Sequence, residues 1–211
     1  MVVFYEDYDQ VIRLVCPDYD YCLNLIAENI PVKAGSVLDL GSGTGNLALS
    51  ILKHHPKVRI YGIELQKRLV ELARKKLAGY NASFVEGDIL SFDWPSADCV
   101  VSSLALHHLS HVDKRKVFTR IRRTSHSFIY FDRVKGADEK EEEENLAYLL
   151  GYMKKRGFSE EMLAEAREEM AAKDNPLTKK ALNSLLDSLR FRYRILYLNH
   201  GLAVYHCTRK E

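Results

Sequence analysis

A chain of 211 residues, 46% hydrophobic and 28% charged, has the length of one globular domain and enough apolar material for its own core. That excludes a string of modules and a chain disordered along its length. The formal net charge of +2 hides an asymmetry: residues 1–30 carry −5 and residues 136–175 carry −6, whereas 31–135 and 176–211 carry +8 and +5. No window approaches the ~18 consecutive apolar residues that span a bilayer. The opening MVVFYEDYDQ is acidic where a signal peptide would be basic. Cys16, Cys22, Cys99 and Cys207 contain no C-x-x-C pair, which points to reduced thiols and a cytoplasmic, membrane-free protein.

Val37–Leu40 is a short apolar run that ends in Gly41-Ser42-Gly43-Thr44-Gly45, and a helical pattern follows through Leu52. Strand, tight loop and helix are predicted. RIYGIE (59–64) reads as a second strand, and QKRLVELARKKL (66–77) as an amphipathic helix that buries Leu69, Leu72, Ala73 and Leu77. SFVEGD (83–88), CVVSSL (99–104) and SFIYFD (127–132) are three further strands, with the helix DKRKVFTRIRR between the last two. This alternation predicts an α/β fold, a doubly wound and mostly parallel sheet covered by helices on both faces. Residues 136–175 carry no strand signal but two charged helical stretches split at Gly157. They predict a helical insertion within a single domain spanning 1–211. Because it leaves the carboxyl edge of the sheet, it is expected to act as a lid. The Glu141–Glu144 run reads as a solvated helix start. Asn175 and Pro176 predict the next helix, as N-cap and first helical residue, with Leu177, Ala181, Leu182, Leu185, Leu186 and Leu189 as its buried stripe. RYRILYL (192–198) and LAVYHCT (202–208), joined by Asn199-His200-Gly201, predict a C-terminal antiparallel hairpin that brings the sheet to seven strands.

Ligands of an open parallel sheet bind beyond the carboxyl ends of its strands, where Asp39-Leu40-Gly41-Ser42-Gly43-Thr44-Gly45 lies. A dinucleotide loop of the form G-x-G-x-x-G would place its third glycine at position 46. Asn46 stands there, and the glycine is at 45. Glu64 closes the second strand 23 residues after Gly41, where a carboxylate can accept both hydroxyls of a ribose. Nicotinamide enzymes use the same device. Asp88 at the end of the third strand separates the two readings, since a carboxylate there can receive an adenine amino group; its plain alternative is a turn or N-cap aspartate.

On these residues the chain resembles the class I S-adenosylmethionine-dependent methyltransferases. VLDLGSGTGNLA is similar to the family's first motif, YGIELQ to the second, FVEGDIL to the third and ADCVVSSLALHHL to the fourth, in order; the resemblance covers residues 8–135 and 176–208, where the terminal hairpin is similar to the family's final reversed strand. The resemblance implies a Rossmann-like fold and a cofactor site for S-adenosylmethionine, with S-adenosylhomocysteine as product. Asp39 and Leu40 lead into a loop, Gly41 to Gly43 with Ser42, that would contact the cofactor. Glu64 would meet the ribose with Leu65 beside the adenine, Asp88 and Ile89 would meet the adenine, and Ser102 or Ser103 would border the methionine part. Cys16-Pro17-Asp18-Tyr19 is similar to a Pro-Gly-Tyr segment of relatives that modify wobble uridines in transfer RNA, which implies Tyr19 near the cofactor, with Asp18 in place of their glycine.

Methyl transfer is an in-line displacement, so a protein mainly orients the nucleophile and, where needed, takes its proton. His107 and His108 follow the fourth strand at the methyl end, and neutral imidazole suits proton abstraction; the alternative is one ring packed under the loop and the other in solvent. After the fourth strand stands Ser102-Ser103-Leu104-Ala105, without the Asn/Asp-Pro-Pro-aromatic run of base-amino methyltransferases. Cys99 and Cys16 fit a cytosine-type nucleophile poorly. With serine where a catechol-type enzyme has a carboxylate, and Asp132 alone after the fifth strand, no metal is expected. A small-molecule nucleophile is the expected substrate. Transfer RNA is the alternative, drawing on Lys114, Arg115, Lys116, Arg120, Arg122 and Arg123, whose plain reading is a solvated helix face. A non-catalytic cofactor-binding subunit is a further alternative, and the oligomeric state is left open, a homodimer included.

Overall fold

The computed structural model describes residues 8–210, so Glu6 and Asp7 of the acidic opening lie outside it and Asp9 lies within it. Two short helices, α1 (Tyr8–Val15) and α2 (Tyr19–Glu28), precede β1 (Ser36–Leu40), α3 (Asn46–His54), β2 (Arg59–Glu64), α4 (Lys67–Lys76) and β3 (Ala82–Glu86). Then come β4 (Cys99–Ser103), a 3-10 turn (Leu106–His108), α5 (His111–Thr124) and β5 (Ser127–Arg133). Two helices, α6 (Glu139–Lys154) and α7 (Glu160–Lys173), follow, before α8 (Lys179–Ser188), β6 (Phe191–Asn199) and β7 (Leu202–Arg209) close the chain.

The strands form one seven-stranded sheet in the order β3-β2-β1-β4-β5-β7-β6. Pairs β1/β2, β2/β3, β1/β4 and β4/β5 are parallel, and β7 runs antiparallel to both β5 and β6. Side-chain alternation splits the core. Val37, Ile60, Phe84, Val101, Ile129 and Val204 face α2, α3 and α4, whereas Leu38, Ile63, Val100, Phe128, Tyr130 and Tyr205 face α5 and α8. The chain reverses direction across the sheet between β1 and β4. The carboxyl ends of those strands therefore diverge there and leave a crevice.

Two expectations need correction. The last helix starts not at Pro176 but at Lys179, with Thr178 as N-cap accepting from Ala181 N at 3.2 Å. Asn175 and Leu177 are instead held outside the helix, Asn175 N–H bonding His107 O at 2.7 Å and Leu177 O accepting from Lys135 N at 2.9 Å. Ala181 consequently lies on the exposed face, with Leu182, Leu185 and Leu186 buried. The cationic face of α5 is also less solvated than its composition suggests. Lys114 is buried, donating to His107 O at 3.3 Å, to Leu109 O and to Asn175 O at 2.7 Å. Arg120 lies 4.1 Å over the Trp94 ring and donates to Ile89, Leu90 and Phe92 carbonyls.

Candidate active site

The crevice is floored by the loop after β1. Gly41 has φ +70°, and a Cβ there would lie 2.4 Å from Ala105 Cβ, so the loop can close on the segment after β4 only with glycine. Gly45, at φ +81°, caps α3 and faces Leu77 of the α4 end. Gly43 N–H donates to Glu64 Oε2 at 2.9 Å, and Gln66 N–H to Oε1 at 3.0 Å. Glu64 is thereby fixed between two backbone donors, with lone pairs left on each oxygen.

Beside this loop is a concentration of unpaired polar atoms. Both carboxylate oxygens of Asp39, Ser42 Oγ and Ser103 Oγ are buried without hydrogen-bond partners. They surround a cavity of about 20 Å³ bounded also by Gly41, Gly43, Tyr8 and Tyr19. Native folds seldom leave buried acceptors unpaired, and a ligand that donates would satisfy this cluster. Burial, with the charge of Glu64 second, pushes Asp39 up to about 8. Ser102 is already committed, donating to Leu40 O at 2.7 Å, which leaves Ser103 as the serine facing the cleft. Asp88 is exposed at the crevice wall; Oδ1 accepts from Leu90 N at 2.9 Å, so it caps a turn with one oxygen and keeps the other open. Leu65 is 66% exposed and Ile89 half-buried. Tyr19 is buried, its hydroxyl accepting from Asn46 Nδ2 at 3.4 Å. Asp18 has φ +56°, a left-handed position that Asp tolerates better than most residues, and its carboxylate accepts from Tyr197 OH at 2.7 Å.

A second cavity, of about 270 Å³, adjoins the first, and Tyr8 borders both. Its wall is mostly apolar: Ile12 and Val15 of α1, Leu149 and Met153 of α6, Ala166 and Met170 of α7, with Leu104 and Leu202. Its polar end holds His107, His108, Arg133 and Asp174. His107 is buried, with Nδ1 bonded to Asp132 Oδ1 and Nε2 3.6 Å from Asp174 Oδ1. His108 is half exposed, its Nδ1 3.1 Å from the same Asp174 oxygen, and the two rings lie 4.0 Å apart. Arg133 bonds the other Asp174 oxygen and reaches Glu142 at 3.5 Å. Burial alone would raise Asp174, but His108, His107 and Arg133 together hold it below the usual carboxylate range. The bond to Asp174 raises His108.

Asp132 is therefore not alone: it bonds His107, which lies with His108 and Asp174 in a group close enough to hold a metal ion. Neither Asp174 nor Arg133 nor Tyr8 was visible as a site residue in the sequence. Asp174 enters from the far end of α7, and a 41-residue separation from Arg133 hides the pairing. Asn46 carried a signal, being the departure from the dinucleotide spacing. It joins Thr44, Lys76 and Asp9 in a network: Asp9 accepts from Thr44 Oγ1 at 2.5 Å and Asn46 Nδ2 at 3.0 Å and pairs with Lys76 at 2.5 Å. This network ties α1 to the glycine loop.

Comparison with known proteins agrees with the fold and the loop. Residues 37–126 match the family described as "Methyltransferase domain". An "uncharacterized methyltransferase" of Geobacillus sp. (strain WCH70) is 39% identical over 118 residues, 54% of this chain and 52% of the relative. The chain thus spans about half the length of that curated relative. A carboxy-S-adenosyl-L-methionine synthase of Wolinella succinogenes is 25% identical over 191 residues, 85% of this chain and 79% of the relative. Among solved structures, the magnesium protoporphyrin IX methyltransferase of Synechocystis PCC 6803, determined with bound SAH, superimposes over 100% of this chain and 89% of its own with a TM-score of 0.66 at 15% identity. Residues 37–126 are thus similar in sequence to methyltransferase domains, and the fold of the chain is the one that this solved methyltransferase has.

Proposed function

We propose that the protein transfers a methyl group from S-adenosylmethionine to a small, largely apolar nucleophile held in the 270 Å³ cavity. The observation that carries this reading is the unpaired, fully buried Asp39 carboxylate at the glycine loop. An ammonium group such as that of the cofactor's methionine part is the donor such a site lacks, and Ser42 and Ser103 supply further acceptors on the same side. In this reading Glu64 takes the ribose hydroxyls on its free lone pairs, Leu65 and Ile89 flank the adenine, and the open oxygen of Asp88 receives its amino group. Leu40, Gly41 and Gly43 line the approach, and Tyr19 closes it.

The cofactor, when bound, supplies an activated methyl on a sulfonium; this chain's residues orient the acceptor and handle its proton. Leu149, Met153 and Met170 exclude water from the acceptor, and methionine adapts to irregular apolar shapes. His107, held in one orientation by Asp132, and His108, held by Asp174, stand at the polar end as proton acceptors. Residues 136–175 serve as the lid within a single domain. The four free, buried cysteines support a reducing, cytoplasmic setting, and among the described residues no helix is long and apolar enough to cross a membrane.

Calorimetry tests the cofactor assignment: SAM and SAH should bind and NAD should not. Tight NAD binding without SAM binding would falsify it. Glu64→Ala and Asp88→Ala should each weaken SAM by ~1–3 kcal/mol, the range for a hydrogen bond to a charged group. Incubation with methyl-labelled SAM and a metabolite pool then separates an enzyme from a binding subunit, which would return no labelled product.

A further inference from the structure

The polar end of the large cavity has a geometry that proton handling alone does not require. Three donor atoms, from His107, His108 and Asp174, lie within 4.8 Å of one another. Asp174 Oδ1 is 3.1 Å from His108 Nδ1 and 3.6 Å from His107 Nε2. Ligands at about 2.0–2.1 Å from a tetrahedral ion lie ~3.3–3.4 Å from each other, and these two separations straddle that spacing. Two of the three donors are also aimed by a partner on the far side. Asp132 accepts from Nδ1 of His107, which leaves Nε2 as the lone-pair nitrogen facing Asp174. Arg133 holds Oδ2 of Asp174 and leaves Oδ1 facing the two rings. Carboxylate–histidine pairs of this kind are the usual outer support of a metal ligand.

The backbone that carries the donors is fixed as well. Asn175 N–H bonds His107 O at 2.7 Å, zipping the turn after β4 to the end of α7, and Lys114 bridges His107 O, Leu109 O and Asn175 O. Fixed charges near the cluster are Asp132, Asp174 and Glu142 against Arg133 and Lys114, a net of one negative charge before any ion binds.

We propose that His107, His108 and Asp174 form a binding site for one divalent transition-metal ion of the zinc type. Two imidazoles and one carboxylate select such an ion over magnesium or calcium, which prefer all-oxygen sets. All three residues line the 270 Å³ cavity, so an exogenous ligand in it could complete the coordination. The site stands on its own geometry; only its use, to ligate the heteroatom of a hydroxyl or thiol acceptor, rests on the methyl-transfer reading.

The test is a titration of the full chain, stripped with chelator and free of cofactor, with Zn(II) by calorimetry and Co(II) by visible absorption. One ion per chain is expected, with Co(II) ligand-field bands of a low-symmetry nitrogen/oxygen site. His108→Ala and Asp174→Asn should each weaken binding at least about 10-fold, the scale on which even outer partners act. His108 is half exposed, so its replacement leaves the fold intact should loss of the Arg133 partner disturb Asp174→Asn. SAM calorimetry on the same samples reports the cofactor site separately, so either reading can fail while the other stands. Absence of saturable Zn(II) binding to the stripped wild-type chain would overturn the proposal. So would binding of undiminished affinity in both variants, which would place the ion at other histidines.

Discussion

Asp39 sits in the middle of the sheet, paired in register with Gly62 on one side and Val101 on the other, with no donor in reach. Its carboxyl is pushed up to about 8 by burial and then by Glu64, far above the ~3.9 of an unfolded aspartate. Between these values the folded chain binds more protons than the unfolded one, so stability falls as pH rises through that window. Asp39→Asn removes the ionisation. The variant should melt higher than wild type at pH 8 by at least ~2 °C, the shift from about 1 kcal/mol in a domain of this size, and the gap should shrink toward pH 5. The same variant should weaken SAM, because the ammonium loses its anion. Thermal melts at several pH values with matched calorimetry check both; a gap independent of pH would remove Asp39 as the titrating group. The acidic position before the glycine loop was legible in the sequence, whereas its lack of a partner was not, since that depends on which strands flank β1.

Helices α1, α6 and α7 cover the large cavity. Helix α1 meets the glycine loop through Asp9, whose carboxyl burial alone would raise but which Lys76, Thr44 and Asn46 together hold below its usual range. That contact is present above the unfolded aspartate pKa and is lost as pH falls through the depressed folded value. Tyr8, pushed up to about 12 by burial and then by Glu64, comes with it to close the cleft. Since the cleft of about 20 Å³ is far smaller than the several hundred Å³ of a typical ligand pocket, α1 has to shift to admit a cofactor. Asp9→Ala should therefore speed SAM association in stopped-flow, while lowering stability by under ~1 kcal/mol because the pair is partly exposed. An unchanged association rate would mean that α1 is not the gate.

The α6–α7 pair rests on a small cluster of Met153, Leu163 and Ala166, with Leu149 of α6 its buried apolar contribution to the main core. Tyr152 OH bonds Arg13 O at 3.0 Å, and Tyr148 stacks on His200 at 3.8 Å. So thin a core favours local opening. Hydrogen exchange in 139–173 should be faster than in β1 or β4 and should slow when cofactor and acceptor bind together; exchange unchanged by both would assign the pair to assembly. Both helices were legible from charged periodicity bounded by Gly157. Their contact with α1 was not, because Tyr152 and Arg13 are 139 residues apart.

Over the whole molecule, charge is sorted by sheet edge. Register places Arg133 opposite Leu202 and Ser127 opposite Thr208, so the turn at His200 lies at the cavity edge and Arg192, Arg209 and Lys210 lie at the other. Arg122 and Arg123, at the end of α5 just before Ser127, belong to that far edge too. The cavity edge is bordered instead by residues 8–30, which carry −3, and by the insertion at −6. Phosphate backbones bind through clustered Lys and Arg with release of counterions, and an opening of the opposite sign repels them. The basic side of α5 that could have served RNA is thinned by Lys114, buried on backbone carbonyls, and Arg120, spent on Trp94 and the 89–92 turn. Transfer RNA should therefore bind weakly, through the far edge, and accept no methyl. Filter binding across a salt series, run with methyl-labelled SAM, decides the point. Micromolar binding near physiological salt, falling steeply as salt rises and accompanied by label in the RNA, would show that the acceptor is a nucleic acid and that the acidic rim moves aside to let it in.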